Sequence, residues 1–505
     1  MWVLLIICEF FLVAFAKADT SCLLRDYGDN KRVCVCNSEH CDYYFVDITP
    51  DKVDVVTSTQ DGARYRKTVQ EFETSASSSN LIIINRNNTY QSINGFGGAL
   101  TDSAGINIMS LPPRAADHLM RSYFTGMGSM YSICRVPMGG TDFSTHGYSY
   151  NDGSEDKDLA NFKLAEEDFK YKIPLMRIAR NLSMYQTQLK FFTSTWVAPK
   201  WMKDNGRYEG GSLKNEHYQT WAKYFLKFLE EYKKQGFDFW GITTGNEPLL
   251  SKLTAVTKIP SVGWNSSTAS VWIKDHLAPT LRSSKFSDIK LMAIDDQRVF
   301  FSDYLTNLMQ NETTRNYVDG FAVHWYLNSF ISPEVLTGAH QRFPDKFLLS
   351  TEASSGFYPW NKHVDLGSWE RGEKYANDII DNLNNWVTGW VDWNIALDLK
   401  GGPTFIKNYI DSPIIVNSTA GEFYKQPMYY AIGHFSKFIP VGSVRIEAVS
   451  NLNLPMVAFT RPGPDNKMVL VLLNKNKNSV SVSVKDGSKI INLNLEKKSI
   501  TTVMY

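Results

Sequence analysis

A chain of 505 residues that is 43% hydrophobic and 21% charged is too long for one ordinary core and too apolar to be disordered, so one large domain with smaller ones is expected. Lys and Arg number 53 against 52 Asp and Glu, and no contiguous basic run occurs, which argues against a nucleic-acid partner. Aromatic residues make up 13%, including 13 Trp, a content that suits both packed interiors and surfaces that stack flat sugar rings.

The first 18 residues form the most apolar stretch and end in Ala14, Ala16 and Ala18, where a signal peptidase reads small residues. Residues 1–18 are therefore expected to be a secretory signal, with a signal anchor as the competing reading. No later window is long and apolar enough to span a membrane. Cys22, Cys34, Cys36 and Cys41 crowd just behind this segment and predict two disulfides in a small N-terminal patch. Zinc is the alternative, but the single residue between Cys34 and Cys36 is short for a zinc knuckle. Cys134 lies in an apolar run and reads as a buried thiol. Sequons at Asn87, Asn181, Asn265, Asn311 and Asn417 mark candidate glycosylated surface loops.

Residues 46–90 carry strand-like runs at Val53–Thr59, Arg64–Thr74 and Leu81–Ile84, with a Ser-rich tip at Ser75–Ser79. From about residue 92 to 397 one rhythm repeats: a short β-rich run, a polar turn, a longer helical stretch. The runs are Ser92–Ala99, Tyr131–Pro137, Phe191–Trp196, Trp240–Asn246, Lys290–Ile294, Gly320–Trp325, Lys346–Thr351 and Trp390–Ala396, with amphipathic segments such as His217–Lys234 and Trp369–Val387 between them. That alternation predicts an α/β fold, a (β/α)8 TIM barrel; an open doubly wound sheet is the competing architecture. After residue 440 short alternating runs follow one another without helices, as in Ser479–Val484, and predict a small β-sandwich. The expected organisation is a disulfide-bonded small sheet over 19–45 with 394–427, a barrel over 91–442, and a discontinuous sandwich from 46–90 and 443–505.

Working residues of such a barrel stand at the C-terminal ends of its strands. Two carboxylates do so: Glu247, in Gly245-Asn246-Glu247-Pro248, and Glu352, in Ser350-Thr351-Glu352-Ala353. A pair facing across a cleft is what glycoside hydrolysis requires, one acid protonating the leaving oxygen and the other attacking or activating water. Asn246 is placed to bond a sugar hydroxyl, and Trp196, Trp325, Tyr326 and Trp393 offer stacking faces at neighbouring strand ends. His324 is read as either a substrate-orienting or a structural histidine, and Asp295-Asp296-Gln297-Arg298, closing the fifth strand, as able either to bind a cation or to pair with Arg135. No G-x-S-x-G, H-E-x-x-H or G-x-x-x-x-G-K-[ST] occurs. Gly95-Phe96-Gly97-Gly98 lacks the spacing of a dinucleotide loop and reads as a tight turn after the first strand.

The words around these carboxylates carry a resemblance. Gly95-Phe-Gly-Gly-Ala, Arg135-Val-Pro-Met, Asp142-Phe-Ser, Asp295-Asp-Gln-Arg, Ala322-Val-His-Trp-Tyr, Asp392-Trp-Asn and Asp411-Ser-Pro-Ile-Ile-Val resemble the acid glucosylceramidases of glycosyl hydrolase family 30. The likeness covers essentially the chain after the proposed signal. It implies Glu247 as general acid/base and Glu352 as nucleophile. It further implies that Asp142, Trp196, Asn246 and Trp393 hold glucose, with Asn408 nearby, and that Tyr326 positions the nucleophile. The implied substrate is glucosylceramide at a membrane surface, with a saposin-type activator and anionic lipid assisting, a lysosomal location, and no metal or other cofactor. The chain departs from the family pattern at Gly245, at Ser354 and across the loop Leu249–Trp264.

Overall fold

The computed structural model describes residues 21–183, 189–253, 258–463 and 466–505. The expected signal segment therefore lies outside the described residues. Eight parallel strands close into a barrel: β1 (Gly95–Ala99), β2 (Ile133–Met138), β3 (Lys190–Thr195), β4 (Gly241–Thr243), β5 (Lys290–Gln297), β6 (Gly320–His324), β7 (Phe347–Glu352) and β8 (Val387–Asn394). Nearly every strand position is buried because helices cover the outside, which is why these runs are apolar without alternation. The helix Tyr218–Lys234 shows how: it buries Trp221, Phe225, Phe228, Leu229 and Tyr232 along one stripe.

The Gly95–Gly98 segment is not a turn after a strand but the first strand itself. A Cβ at Gly97 would stand 1.6 Å from the Ile133 carbonyl oxygen, and one at Gly389 would stand 2.1 Å from that of Gly95. Glycine is thus required by the close approach of β1 to its two neighbours.

The remaining strands form two further sheets. In the small one the order is Leu24–Asp26, Arg32–Cys36, Glu422–Lys425, Ile414–Asn417, Leu397–Asp398, so the N-terminal patch is completed by segments that follow β8. Disulfides Cys22–Cys34 and Cys36–Cys41 staple it, and Cys134 is a buried free thiol. The nine-stranded sandwich sheet interleaves Val53–Thr59, Arg66–Gln70 and Leu81–Ser92 with six strands from 444–504. Leu81–Ser92 runs further than its apolar start implies, through Asn87, with pairing irregularities opposite Val444–Ser450. The serines of Val480–Asp486 differ in exposure, Ser481 being exposed. Ser483 is buried, donating to Asn492 Oδ1 at 2.7 Å and accepting from the Ser78 N–H at 3.1 Å, so the Ser-rich tip roofs part of the serine face.

The sequons do not sit in loops as expected. Asn87 lies in a strand, Asn181 in a helix, and Asn265 and Asn311 cap helix N-termini, all four exposed; Asn417 ends a strand, and its Nδ2 donates to the Tyr424 hydroxyl at 2.9 Å. No helix among the described residues is long and apolar enough to cross a membrane.

Candidate active site

The C-terminal ends of the barrel strands open into a cleft of about 470 Å³, within the usual range for small-ligand sites. Asp142, Trp196, Asn246, Glu247, Tyr326, Glu352, Trp393 and Asn408 all line it. Trp325, expected at the same mouth, points away: its Nε1 donates to the Ser354 carbonyl and its ring meets Tyr375 and Trp390 edge-on. The chain alternates direction along a strand end, so Trp325 faces the outer helices while Tyr326 faces the cleft.

Glu247 stands beyond the short strand β4, where the chain turns through Gly245 at φ +131° and Glu247 itself at φ +44°. A non-glycine residue with positive φ is strained and is held there by its surroundings. The Glu247 N–H donates to the Asp295 carbonyl at 2.9 Å and the Asn246 N–H to that of Thr195 at 2.8 Å, tying this turn to both flanking strands.

A buried network carries the two carboxylates. Arg135, on β2, is fully buried and donates to Glu352, to Asp295 Oδ2 at 2.8 Å, to Asn246 Oδ1 at 2.9 Å and to Ser194 Oγ at 3.1 Å. Its guanidinium lies 4.5 Å from the Trp196 ring centroid, and Trp196 stacks on Trp393 with centroids 4.9 Å apart. Asp295 also accepts from Ser194, Thr243, Thr351 and His324. Burial alone would raise its pKa, but Arg135 and His324 outweigh burial and hold this carboxyl well below the usual range.

His324 bridges two carboxylates, with Nδ1 at 2.8 Å from Glu247 Oε1 and Nε2 at 3.1 Å from Asp295 Oδ1. Burial would push its pKa down, yet the Glu352 charge and these two hydrogen bonds hold it up at about 10. At that value both ring nitrogens carry N–H groups, donated to Glu247 and to Asp295. Gln297 Nε2 reaches the same Glu247 Oε1 at 2.7 Å. Two donors thus converge on Oε1, and none among the described residues is directed at Oε2.

Glu352 ends β7. Its Oε1 accepts from the Tyr326 hydroxyl at 2.7 Å and its Oε2 from Arg135. Burial pushes Glu352 above the ordinary carboxylate range, the cations His324 and Arg135 work against that rise, and the Glu247 charge adds to it. One carboxylate oxygen of Glu247 lies within 4.8 Å of one of Glu352. Asp142 accepts from Asn408 Nδ2 at 2.8 Å, and burial, then the Glu352 charge, push it up to about 7.

Sequence reasoning reached only part of the upper wall. Leu249, Leu250 and Ile259, from the loop singled out as departing from the family, and Asp296 and Gln297, from the run closing the fifth strand, line it with Phe300, Leu327, Phe357, Pro359 and Ile410, which the sequence did not single out. Apolar side chains at a rim carry no local signature that separates them from core residues. Asp296 and Gln297 did carry one, their place directly after Asp295.

A polar floor with paired carboxylates beneath an apolar rim, at the mouth of a (β/α)8 barrel, defines a glycoside hydrolase. Residues 93–439 match the glycosyl hydrolase family 30 TIM-barrel domain and residues 442–503 the glycosyl hydrolase family 30 beta sandwich domain. The lysosomal acid glucosylceramidase of Mus musculus is 39% identical over 487 residues, covering 92% of each chain. An endo-1,6-beta-D-glucanase of Neurospora crassa is 28% identical, covering 75% of this chain and 78% of its own. The crystal structure of SrfJ from Salmonella typhimurium superposes with a TM-score of 0.83 at 26% identity, covering 90% of this chain and 99% of that one. The chain belongs to glycosyl hydrolase family 30.

Proposed function

We propose that the protein is a retaining β-glucosidase that hydrolyses glucosylceramide to glucose and ceramide. The observation that carries this reading is the approach of the Glu247 and Glu352 carboxylates to within 4.8 Å. Retaining glycosidases need a separation of about 5–5.5 Å, whereas inverting ones leave room for water at about 6.5–9.5 Å. Trp196, Trp393, Asp142, Asn246 and Asn408 bind the glucose. Asn246 presents its amide N–H₂ to the sugar because Arg135 occupies its oxygen.

In the first step Glu247 gives its proton to the glycosidic oxygen while Glu352 attacks the anomeric carbon. The C–O bond to ceramide breaks and a glucosyl ester of Glu352 forms. Arg135 and Tyr326 aim the attacking carboxylate. In the second step Glu247, now ionised, takes a proton from water as that water attacks the same carbon from the opposite face, restoring Glu352 and releasing β-glucose.

The apolar rim formed by Leu249, Leu250, Ile259, Phe300, Leu327 and Phe357 suits lipid tails better than a second sugar. The greater identity to the glucosylceramidase than to the glucanase supports the same choice. The same relative, with the two disulfides and the exposed sequons, supports lysosomal residence after secretory entry. A saposin-type activator and anionic lipid would then present the membrane-bound substrate. Nuclear magnetic resonance of the anomeric proton during hydrolysis of glucosylceramide in mixed micelles tests the reading. β-Glucose should appear first and mutarotate afterwards; α-glucose first, or no turnover at acidic pH, overturns it.

A further inference from the structure

Strand β5 ends on two adjacent carboxyls with different surroundings. Its pairing with β6 slips between Ile294 and Asp296, and Ile294 and Asp295 take positive φ values of 79° and 51°. Such a bulge re-aims side chains next to a site. Asp295 is thereby directed into the network with Arg135 and His324, while Asp296 joins the wall of the cleft.

The bonding of Asp296 is sparse for a group that is 2% exposed. Its Oδ1 accepts from the Gln297 N–H at 2.8 Å and its Oδ2 from the Leu249 N–H at 3.0 Å. Among the described residues no side-chain donor is hydrogen-bonded to it, and the His324 imidazolium acts on it through its charge alone. A carboxylate offers about four lone-pair sites, so each oxygen, with one backbone partner, keeps room for another. Its surroundings place that capacity at the step between floor and rim. Gln297, its neighbour, holds Glu247, and Leu249, bonded to it, begins the apolar wall.

We propose that Asp296 recognises the polar head of the leaving group, bonding the amide on the first carbon and the hydroxyl on the second carbon beyond the one that carries the glycosidic oxygen of a ceramide. This inference rests on the glucosylceramidase reading. Those two groups are the polar ones a ceramide carries beyond the oxygen that Glu247 protonates, and they must pass the cleft wall where Asp296 stands. Burial first, and the Glu247 charge second, push Asp296 up to about 8, so at acidic pH it is a neutral carboxyl that both donates and accepts. A sterol glucoside offers neither group, and Asp296 thus favours ceramide over aglycones of equal apolar bulk.

The test couples a change in the enzyme to a change in the substrate. The full chain and its Asp296→Asn and Asp296→Ala variants are assayed on glucosylceramide, on its 3-deoxy analogue and on a sterol glucoside. Labelling of Glu352 by a glucose-configured cyclitol epoxide reports that each variant retains its glucose pocket. Deleting the hydroxyl should lower kcat/KM of the unaltered enzyme about tenfold or more, and of Asp296→Ala less than about threefold. The preference for ceramide over sterol should shrink in parallel. Equal losses in both enzymes would overturn the proposal and leave Asp296 as a support for Leu249. An unaltered enzyme that labels at Glu352 but ignores glucosylceramide would instead refute the substrate assignment.

Discussion

Glu247 and Glu352 are the same residue type made different by their neighbours. Glu352 is clamped on both oxygens, by Tyr326 and by Arg135, whereas Glu247 is clamped on one, by His324 and Gln297, with no donor among the described residues directed at Oε2. Replacing Glu247 by Gln removes its acid proton and should slow hydrolysis of glucosylceramide by about 10²–10⁴-fold. An activated aryl glucoside, whose leaving group needs little protonation, should lose far less in the first step, and burst kinetics on the two substrates will show it. Arg135→Met should cost about 3–5 kcal/mol, because Asp295 and Glu352 would lose their buried guanidinium partner and keep only His324 against their charges, and thermal unfolding measures this. The two cleft carboxylates, with Asn246, Trp196, Tyr326 and Trp393, were legible as cleft-lining residues because each stands at or just beyond the end of a barrel strand, whereas Asp142 and Asn408 were reached only through the family resemblance. The pairing of Arg135 with Asp295 was readable as well. The role of Gln297 was not, since an amide that bonds a carboxylate from another strand is visible only once the strands are side by side.

At the scale of elements, the eight barrel strands were legible from their apolar runs and the turns between them, with ends displaced by one to a few residues. The harder cases were strands defined by contact. β1 falls inside the run Ser92–Ala99 expected as the first strand, yet its glycines also read as a turn; they are glycines because the neighbouring strands come too near for any side chain. Gly97→Ala should therefore prevent folding or lower yield severely, since its Cβ would meet the Ile133 carbonyl at 1.6 Å. Gly338, in the helix Glu334–Arg342, has nothing within 4 Å of the corresponding position. Gly338→Ala should stabilise the protein by up to about 1 kcal/mol. Secretion yield and melting temperature of the two variants, measured side by side, check the contrast.

Across the whole molecule, several buried groups hold protons more tightly in the fold than they would in the unfolded chain. Asp142 is raised to about 7, Asp296 to about 8 and His324 to about 10, while His434, buried without charge, is lowered to about 3. Between pH of about 4 and about 7 the folded state therefore binds more protons at Asp142 and Asp296 than the unfolded state does, and stability falls as pH rises. His434 opposes them only up to its unfolded value, and His324 adds a further loss above about 6.5. The melting temperature should be highest near pH 4–5 and lower at pH 7, as scanning calorimetry across that range will show, a dependence suited to an acidic compartment. The discontinuous sandwich was legible because the strand runs on both sides of the barrel lacked partners of their own. The central claim remains chemical: Glu352 forms a covalent bond to glucose. Trapping with a glucose-configured cyclitol epoxide at acidic pH, followed by peptide mass mapping, tests it most directly. The account predicts one label, on the peptide carrying Glu352; a label on another carboxylate, or none on folded protein, would contradict it.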